Sequence, residues 1–277
     1  MRMIAHISDL HFGRLDRAVA EGLVDDLHAL RPSLLVVSGD FTQRARPWQF
    51  RQAADYLKRL PSPQLIVPGN HDVPVHVIRR IFHPLKFYRQ NISQELDPLF
   101  QDEEMLVVGV NTARSFTQKS GWISEAQMAQ VRRRMTEPTT PLMKVLVTHH
   151  PFIPPPRHPR GDVIRGAPRY LRILENCGVD LLLAGHLHLA YNDDVRTHHK
   201  TATRSILSIQ AGTATSTRRR GEPNAYNWIT LSAGLVTVGV RTWNDSAFEE
   251  SRVTRYRRVG HVWERDEPIM LGPAQAV

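Results

Sequence analysis

Short apolar runs recur along the chain, and five of them end in a cluster of polar residues. Ile4–Ser8 leads into Asp9-Leu10-His11, Leu34–Ser38 into Gly39-Asp40, and Leu65–Pro68 into Gly69-Asn70-His71-Asp72. Val145–Thr148 leads into His149-His150-Pro151, and Leu181–Ala184 into Gly185-His186-Leu187-His188. Continuous apolar runs of this kind predict strands buried on both faces. Between them the period changes to that of a helix. Asp16–Leu30 is flanked and lined by Leu15, Val19, Leu23, Leu27 and Leu30 and stops before Pro32. Pro47–Leu60 carries proline in its first turn and Pro61 past its end, Ser124–Met135 is followed by Pro138, and Pro168–Asn176 runs into Cys177-Gly178. Strands alternating with helices predict βαβ units and an α/β fold.

After His188 the texture changes. Ser205–Ala211, Ala225–Leu231 and Leu235–Trp243 read as strands without helices between them, with Ser232-Ala233-Gly234 as a hairpin turn. From Asn244 the chain is basic and then contains Pro and Gly, which predicts a loosely packed extension over 246–277 with Val253–Arg258 as an edge strand. The rest, 1–245, reads as one domain. Within it, Val73–Leu99 mixes aromatic and basic residues and reads as a helical insertion, bounded by the strand Met105–Val110. It either packs on the sheet with a solvated basic face, or caps the polar rim or forms a homodimer contact.

A length of 277 residues with 41% hydrophobic content supports one large core. No apolar run is long enough to span a bilayer. The first strand begins at the N-terminus, which leaves no room for a signal peptide, and the single cysteine, Cys177, suits a reducing compartment. Cytoplasmic location is the expectation. The excess of 36 Lys+Arg over 27 Asp+Glu gives +9, a field that attracts phosphate-bearing substrates and equally suits nucleic acid or an anionic membrane.

In an open α/β sheet, residues just past the carboxyl ends of the strands line the active crevice. The five polar clusters therefore deliver Asp, His and Asn side chains to one rim. Mixed imidazole and carboxylate donors suit transition metals such as Mn, Fe or Zn better than Ca or Mg. Two ions about 3.5–4 Å apart clamp the attacking and leaving oxygens of an in-line phosphoryl displacement. The chemistry expected of the rim is metal-assisted hydrolysis of a phosphoester.

The clusters, D-x-H, GD, GNHD, H and G-H-x-H in that order, resemble the calcineurin-like metallophosphoesterases from Asp9 to His188. The resemblance implies a two-sheet β-sandwich flanked by helices, completed by the late strands. It implies two divalent or trivalent metal ions, one on Asp9, His11, Asp40 and His188, the other on Asp40, Asn70, His149 and His186, with Asp40 bridging. His149 is preferred to His150 because the family's ligand stands two residues before the proline, and His150 is left as a substrate contact. His71 would face the substrate, protonating the leaving oxygen or stabilising transition-state charge. Arg44, close to the bridging Asp40, is the candidate substrate-binding cation.

Two departures narrow the activity. The phosphoprotein phosphatases of the superfamily carry an Asp where Gln43 stands, and Glu where Asp72 stands. Both changes point towards phosphodiesterase-like bacterial branches, with the class III cyclic-nucleotide phosphodiesterases nearest in motif form. The expected activity is hydrolysis of a cyclic nucleotide or related small phosphodiester by a metal-bound hydroxide. The alternatives are a nuclease, a nucleotide-sugar pyrophosphatase and a non-catalytic scaffold. Arg218-Arg219-Arg220, after the small-residue stretch Thr213–Thr217, reads first as a solvated loop, with a phosphate contact as the alternative. His6, inside the first strand, reads as a core or second-sheet residue.

Overall fold

Alternate side chains of each apolar run pack into different layers. In the computed structural model, which describes residues 1–117, 119–137, 143–159 and 161–266, the first half of the chain forms β1 (Arg2–Ile7), α1 (Arg17–Leu30), β2 (Leu34–Val37), α2 (Pro47–Leu57) and β3 (Gln64–Ile66). Then come α3 (Val77–Phe82), α4 (Lys86–Asn91), β4 (Leu99–Gln101), β5 (Met105–Gly109), α5 (Glu125–Thr136) and β6 (Met143–Val147). The second half adds α6 (Ala167–Asn176), β7 (Leu181–Ala184), β8 (Tyr191–Asp194) and β9 (Leu207–Gln210). It ends with β10 (Ala225–Ser232), β11 (Leu235–Trp243), β12 (Phe248–Val259) and β13 (Val262–Arg265).

The strands form two sheets, ordered β13-β12-β11-β10-β1-β2-β3 and β4-β5-β6-β7-β9-β8. Ile4, Leu34, Val36, Val107, Val145, Leu181 and Leu183 point between them and make the sandwich interior. Their neighbours Ala5, Leu35 and Val37 pack under α1 and α2, while Leu106, Leu146 and Leu182 pack under α5 and α6. Both faces of each central strand are therefore buried, which is why the runs show no polar alternation. Each fully buried aliphatic side chain contributes about 1.5–3 kcal/mol. The result is a two-sheet sandwich with helices outside both sheets.

β1, β2 and β3 run parallel, as do β5, β6, β7 and β9. The loops after β1, β2, β3, β6 and β7 leave the carboxyl ends of their strands, and these loops hold the polar clusters. α1 buries Val19, Leu23 and Leu27 and is capped by Asp16, whose carboxylate accepts from the Val19 amide. α2 stops at Leu57 rather than at Leu60, because the chain tightens there: Arg59 and Leu60 donate to carbonyls only three residues back.

The late strands divide between the sheets. β9 joins the six-stranded sheet, whereas β10 and β11 extend the sheet of β1. β8, Tyr-Asn-Asp-Asp, escaped the reading because it has no apolar run. The stretch expected to be loosely packed instead carries β12 and β13, both in ladder register with the seven-stranded sheet. β12 covers Val253–Arg258 but lies inside the edge, and β13 is the edge strand. Tyr256 and Trp263 are buried in the sandwich interior, which anchors this segment. Pro138 and the Pro/Gly-containing tail over 267–277 lie outside the described residues. The Val73–Leu99 stretch is helical in two short pieces: Leu85 and Tyr88 pack into the core beneath α2, whereas α3 buries no residue.

His6 confirms its core placement with a measurable consequence. It is fully buried in β1, with Nε2 2.9 Å from Ser38 Oγ, and desolvation lowers its pKa to about 3 against the attraction of Asp9. The unfolded chain takes up a proton near pH 6.5 that the folded chain refuses, so this stability is present above that pH and drains as pH falls towards 3. His6→Gln is expected to remove about 2 kcal/mol of the loss between about pH 7.5 and about pH 5. Urea unfolding of both proteins in the presence of a chelator, at the two pH values, reads this directly.

Candidate metal centre

Five residues at the rim adopt left-handed backbone conformations that side chains other than glycine seldom take: Asp9 (φ 57), His11 (φ 51), Asp40 (φ 55), His186 (φ 73) and His188 (φ 59). Each left-handed residue costs about 1 kcal/mol or more, and such strain persists only where the surroundings overdetermine it. The surroundings here are other loops of the rim. Asp9 N donates to Gly39 O at 3.0 Å, His11 N to Asp40 O at 2.9 Å, and His186 N to the Asp9 carboxylate at 2.9 Å. Thr213 and Thr215, from the segment after β9, donate to the carbonyls of Asp9 and Leu10.

The same turns aim side chains inward. Asp9 Oδ1 lies 3.1 Å from His188 Nε2 and 3.5 Å from His11 Nε2. Asp40 stands between two groups of histidines, with Oδ2 3.7 Å from His11 Nε2 and Oδ1 3.4 Å from His149 Nε2. Asn70 Oδ1 is 3.0 Å from His149 Nε2. Asp9, His11 and His188 bring ligand atoms within 4.8 Å of one another, as do Asp9, Asp40 and His149, and again His149, His150 and His186, so that His150 stands beside the ligand candidates; all are buried. The seven residues read from the sequence as ligands thus converge on one rim.

The donor set fits cations. His149 Nδ1 lies 2.7 Å from Ser38 O, and His188 Nδ1 lies 2.8 Å from Arg218 O. A carbonyl only accepts, so both Nδ1 atoms carry a proton and both Nε2 atoms face the centre. His188 Nε2 and His11 Nε2 are only 3.2 Å apart, an approach that demands a proton or a metal ion between them. Among the described residues, no hydrogen-bond partner meets the buried Asp9 Oδ1. Burial alone would raise Asp9 and Asp40, but His188 and His11 beside the first, and His149 and His71 beside the second, hold both carboxyls well below the usual range. His186 is driven down to about 3, chiefly by burial, and His11 is lowered by burial as well. The Asp40 carboxylate pushes His149 up to about 9 against burial, so near neutral pH its Nε2 also holds a proton, which a metal ion displaces on binding. Ionised carboxylates and inward lone pairs are the donor states that transition metals take.

His71 is half-buried beside this cluster, its ring 4.9 Å from that of His11. Its Nδ1 donates to the Gln43 carbonyl at 2.8 Å, and its Nε2 accepts from Arg218 Nη1 at 3.0 Å. The backbone of Gln43, rather than its side chain, therefore orients this imidazole. Asp72 ties the loop together, accepting from the amides of Gly69, Thr42 and Phe41, and burial followed by the nearby Asp40 raises its pKa to about 7. His150 is fully buried, with Nδ1 2.7 Å from Thr112 Oγ1 and its ring 4.6 Å from that of His186. Arg44 is exposed, its backbone amide held by Gln49.

Arg218 is the residue that sequence reasoning ranked too low. It is no freely solvated loop residue: its carbonyl orients His188 and its guanidinium touches His71. The signal was the Thr-x-Thr spacing before it, because those hydroxyls lace the segment onto the loop of Asp9.

Residues 2–190 match the sequence profile of the family described as calcineurin-like phosphoesterase. The chain belongs to that family. Among curated relatives of this phosphoesterase is the glycerophosphodiester phosphodiesterase GpdQ of Enterobacter lignolyticus (strain SCF1), 29% identical over 170 residues. The alignment covers 55% of this chain and 58% of the relative, so the match spans little more than half of that protein. A probable cyclic nucleotide phosphodiesterase of Synechococcus sp. is 23% identical over 68% of this chain and 74% of its own length. A dimetal phosphatase from Danio rerio superposes with a TM-score of 0.65 at 15% identity, over 87% of this chain and 96% of that one. The purple acid phosphatase from yellow lupin (Lupinus luteus) seeds gives a TM-score of 0.68 at 9% identity, over 90% and 52%. The two structures share this phosphoesterase's fold.

Proposed function

We propose that the protein is a binuclear metal-dependent phosphodiesterase acting on small phosphodiesters, with glycerophosphodiesters and cyclic nucleotides as the substrate classes. The observation that carries this reading is the approach of His11 Nε2 and His188 Nε2 to 3.2 Å beside two ionised, buried carboxylates. Asp9, His11, Asp40 and His188 would hold one ion, and Asp40, Asn70, His149 and His186 the other. Bound there, two ions supply activated water and polarise the phosphoryl oxygens. The named functions of the GpdQ and Synechococcus relatives support a diester rather than a monoester substrate.

His71 and Arg218 do the remaining work. Arg218 Nη1 presents a permanent cation at the outer face of His71, where a phosphate oxygen can be received. The Gln43 carbonyl keeps the His71 proton on Nδ1; once Arg218 turns from Nε2 to the phosphate, that nitrogen is free to take a proton from solvent and pass it to the leaving oxygen. Truncating the Arg218 side chain leaves its carbonyl on His188. Arg218→Ala is therefore expected to lower kcat/KM about tenfold with unchanged metal content, read by steady-state kinetics and elemental analysis.

Turnover by the Mn-loaded protein of a bis-aryl phosphate, its mono-aryl counterpart, glycerophosphocholine, cyclic AMP and single-stranded DNA tests the reading. Preference for the diesters over the monoester supports it, and among them the ranking assigns the substrate class. Preference for the monoester, or cleavage of DNA alone, defeats it.

A further inference from the structure

The first part of the Val73–Leu99 stretch presents an apolar surface that the metal centre does not use. Val75, Val77, Ile78, Ile81 and Phe82 are all exposed, Phe82 at 70%. No residue of α3 is buried, so its aliphatic side chains do not serve the core. Phe116, 65% exposed, comes from the loop after β5, and that loop is joined to α3 through one side chain. Arg80 donates to the carbonyls of Ser115 and Thr117 at 2.6 Å each and to that of Arg114 at 3.3 Å. The helix is thus held to the loop by the polar face of Arg80, with its apolar residues turned outward.

The charge carried by the two segments of this patch is of one sign. Residues 73–94 contain Arg79, Arg80, Lys86 and Arg89 and no acidic residue, and 112–124 contain Arg114 and Lys119 and again no acid. Arg79, Lys86, Arg89 and Lys119 are exposed. Exposed large apolar side chains whose own segments carry only cations are complementary to an interface that is negative at its surface and apolar beneath. Single exposed apolar residues need no explanation, but a contiguous set marks an interaction site.

We propose that α3 and the Phe116 loop dock the protein on an anionic lipid bilayer, the apolar side chains entering the headgroup boundary and the flanking cations meeting lipid phosphates. The patch begins at Val75, four positions after His71, so docking sets the phosphoesterase rim beside the lipid surface. The proposal stands on the patch alone and holds whatever substrate the centre takes.

Co-sedimentation of the full chain with vesicles tests it. Phosphatidylcholine vesicles carrying about 30% phosphatidylglycerol are expected to retain the protein, and pure phosphatidylcholine vesicles to retain it at least about tenfold less. Ile78→Ser with Phe82→Ser should weaken partitioning about tenfold or more through lost burial, and Arg79→Glu with Lys86→Glu about tenfold or more through lost attraction. Thermal melts of both variants should match the parent, since none of the four side chains is buried. No retention by the anionic vesicles, or retention that neither pair changes, overturns the proposal. So does a dimer, measured by light scattering, that dissociates on Ile78→Ser with Phe82→Ser, because a second copy then covers the patch.

Discussion

Asp40→Asn is expected to reduce phosphoester turnover by roughly a thousandfold, about 4 kcal/mol of lost charge stabilisation. Asp40 faces both histidine groups, Oδ2 towards His11 and Oδ1 towards His149. Its Oδ1 also accepts from the His71 amide at 2.8 Å. Asparagine keeps that last contact through its oxygen but replaces the other oxygen with an uncharged NH2 group, which presents hydrogens to His11. The variant should fold, because it removes a buried charge rather than creating one, yet its metal content should drop. The parent protein should lose thermal stability on chelation, since a ligand bound only by the folded state stabilises it by mass action. The variant's melting temperature should respond little to chelator. Elemental analysis and melts with and without chelator separate this outcome from simple misfolding. Unchanged metal content and turnover in Asp40→Asn would remove the bridging role and with it the binuclear reading.

A second large effect is expected where only glycine fits. Gly69 lies directly against Asp40: a Cβ there would meet Asp40 Oδ1 at 2.2 Å and Asp40 N at 2.3 Å. The backbone at Asp40 cannot yield, because its own carbonyl holds His11 N and its φ is already left-handed. Gly69→Ala must therefore push the loop after β3 away from the loop after β2. That motion also strains the three amide donors of Asp72, including Gly69 N itself. Destabilisation on the order of 3 kcal/mol is expected from overpacking and broken buried hydrogen bonds. Asn70 and His71 follow in the chain and would be displaced with the loop, so metal affinity should fall as well. Denaturant unfolding of the metal-free variant measures the first effect, and metal titration the second. A variant within about 0.5 kcal/mol of the parent would mean that the two loops do not pack this closely.

The strand runs and their polar ends were legible in the sequence for a physical reason. Leu34–Val37 and Leu181–Ala184 are buried on both faces, so period and polarity alone mark them, and the residues that follow must lie at carboxyl ends. The order of the five clusters carried the family, and the ligand candidates came with it. What the chain alone left undecided depends on packing between distant segments. β12 and β13 read as a basic tail because Arg252, Arg255, Arg257 and Arg258 dominate their composition, whereas their place in the sheet rests on Tyr256 and Trp263 entering the interior. Arg218 looked like part of a solvated triplet until hydrogen bonds from Thr213 and Thr215 to the first loop carried it to His71. The left-handed turns at Asp9, His11, Asp40, His186 and His188 leave no compositional trace, since they are imposed on ordinary residues by neighbouring loops. Apolar periodicity determined the strands and residue type determined the chemistry. Tertiary structure alone decided which backbone carbonyls orient the imidazoles, because those partners lie up to 111 positions away in the chain.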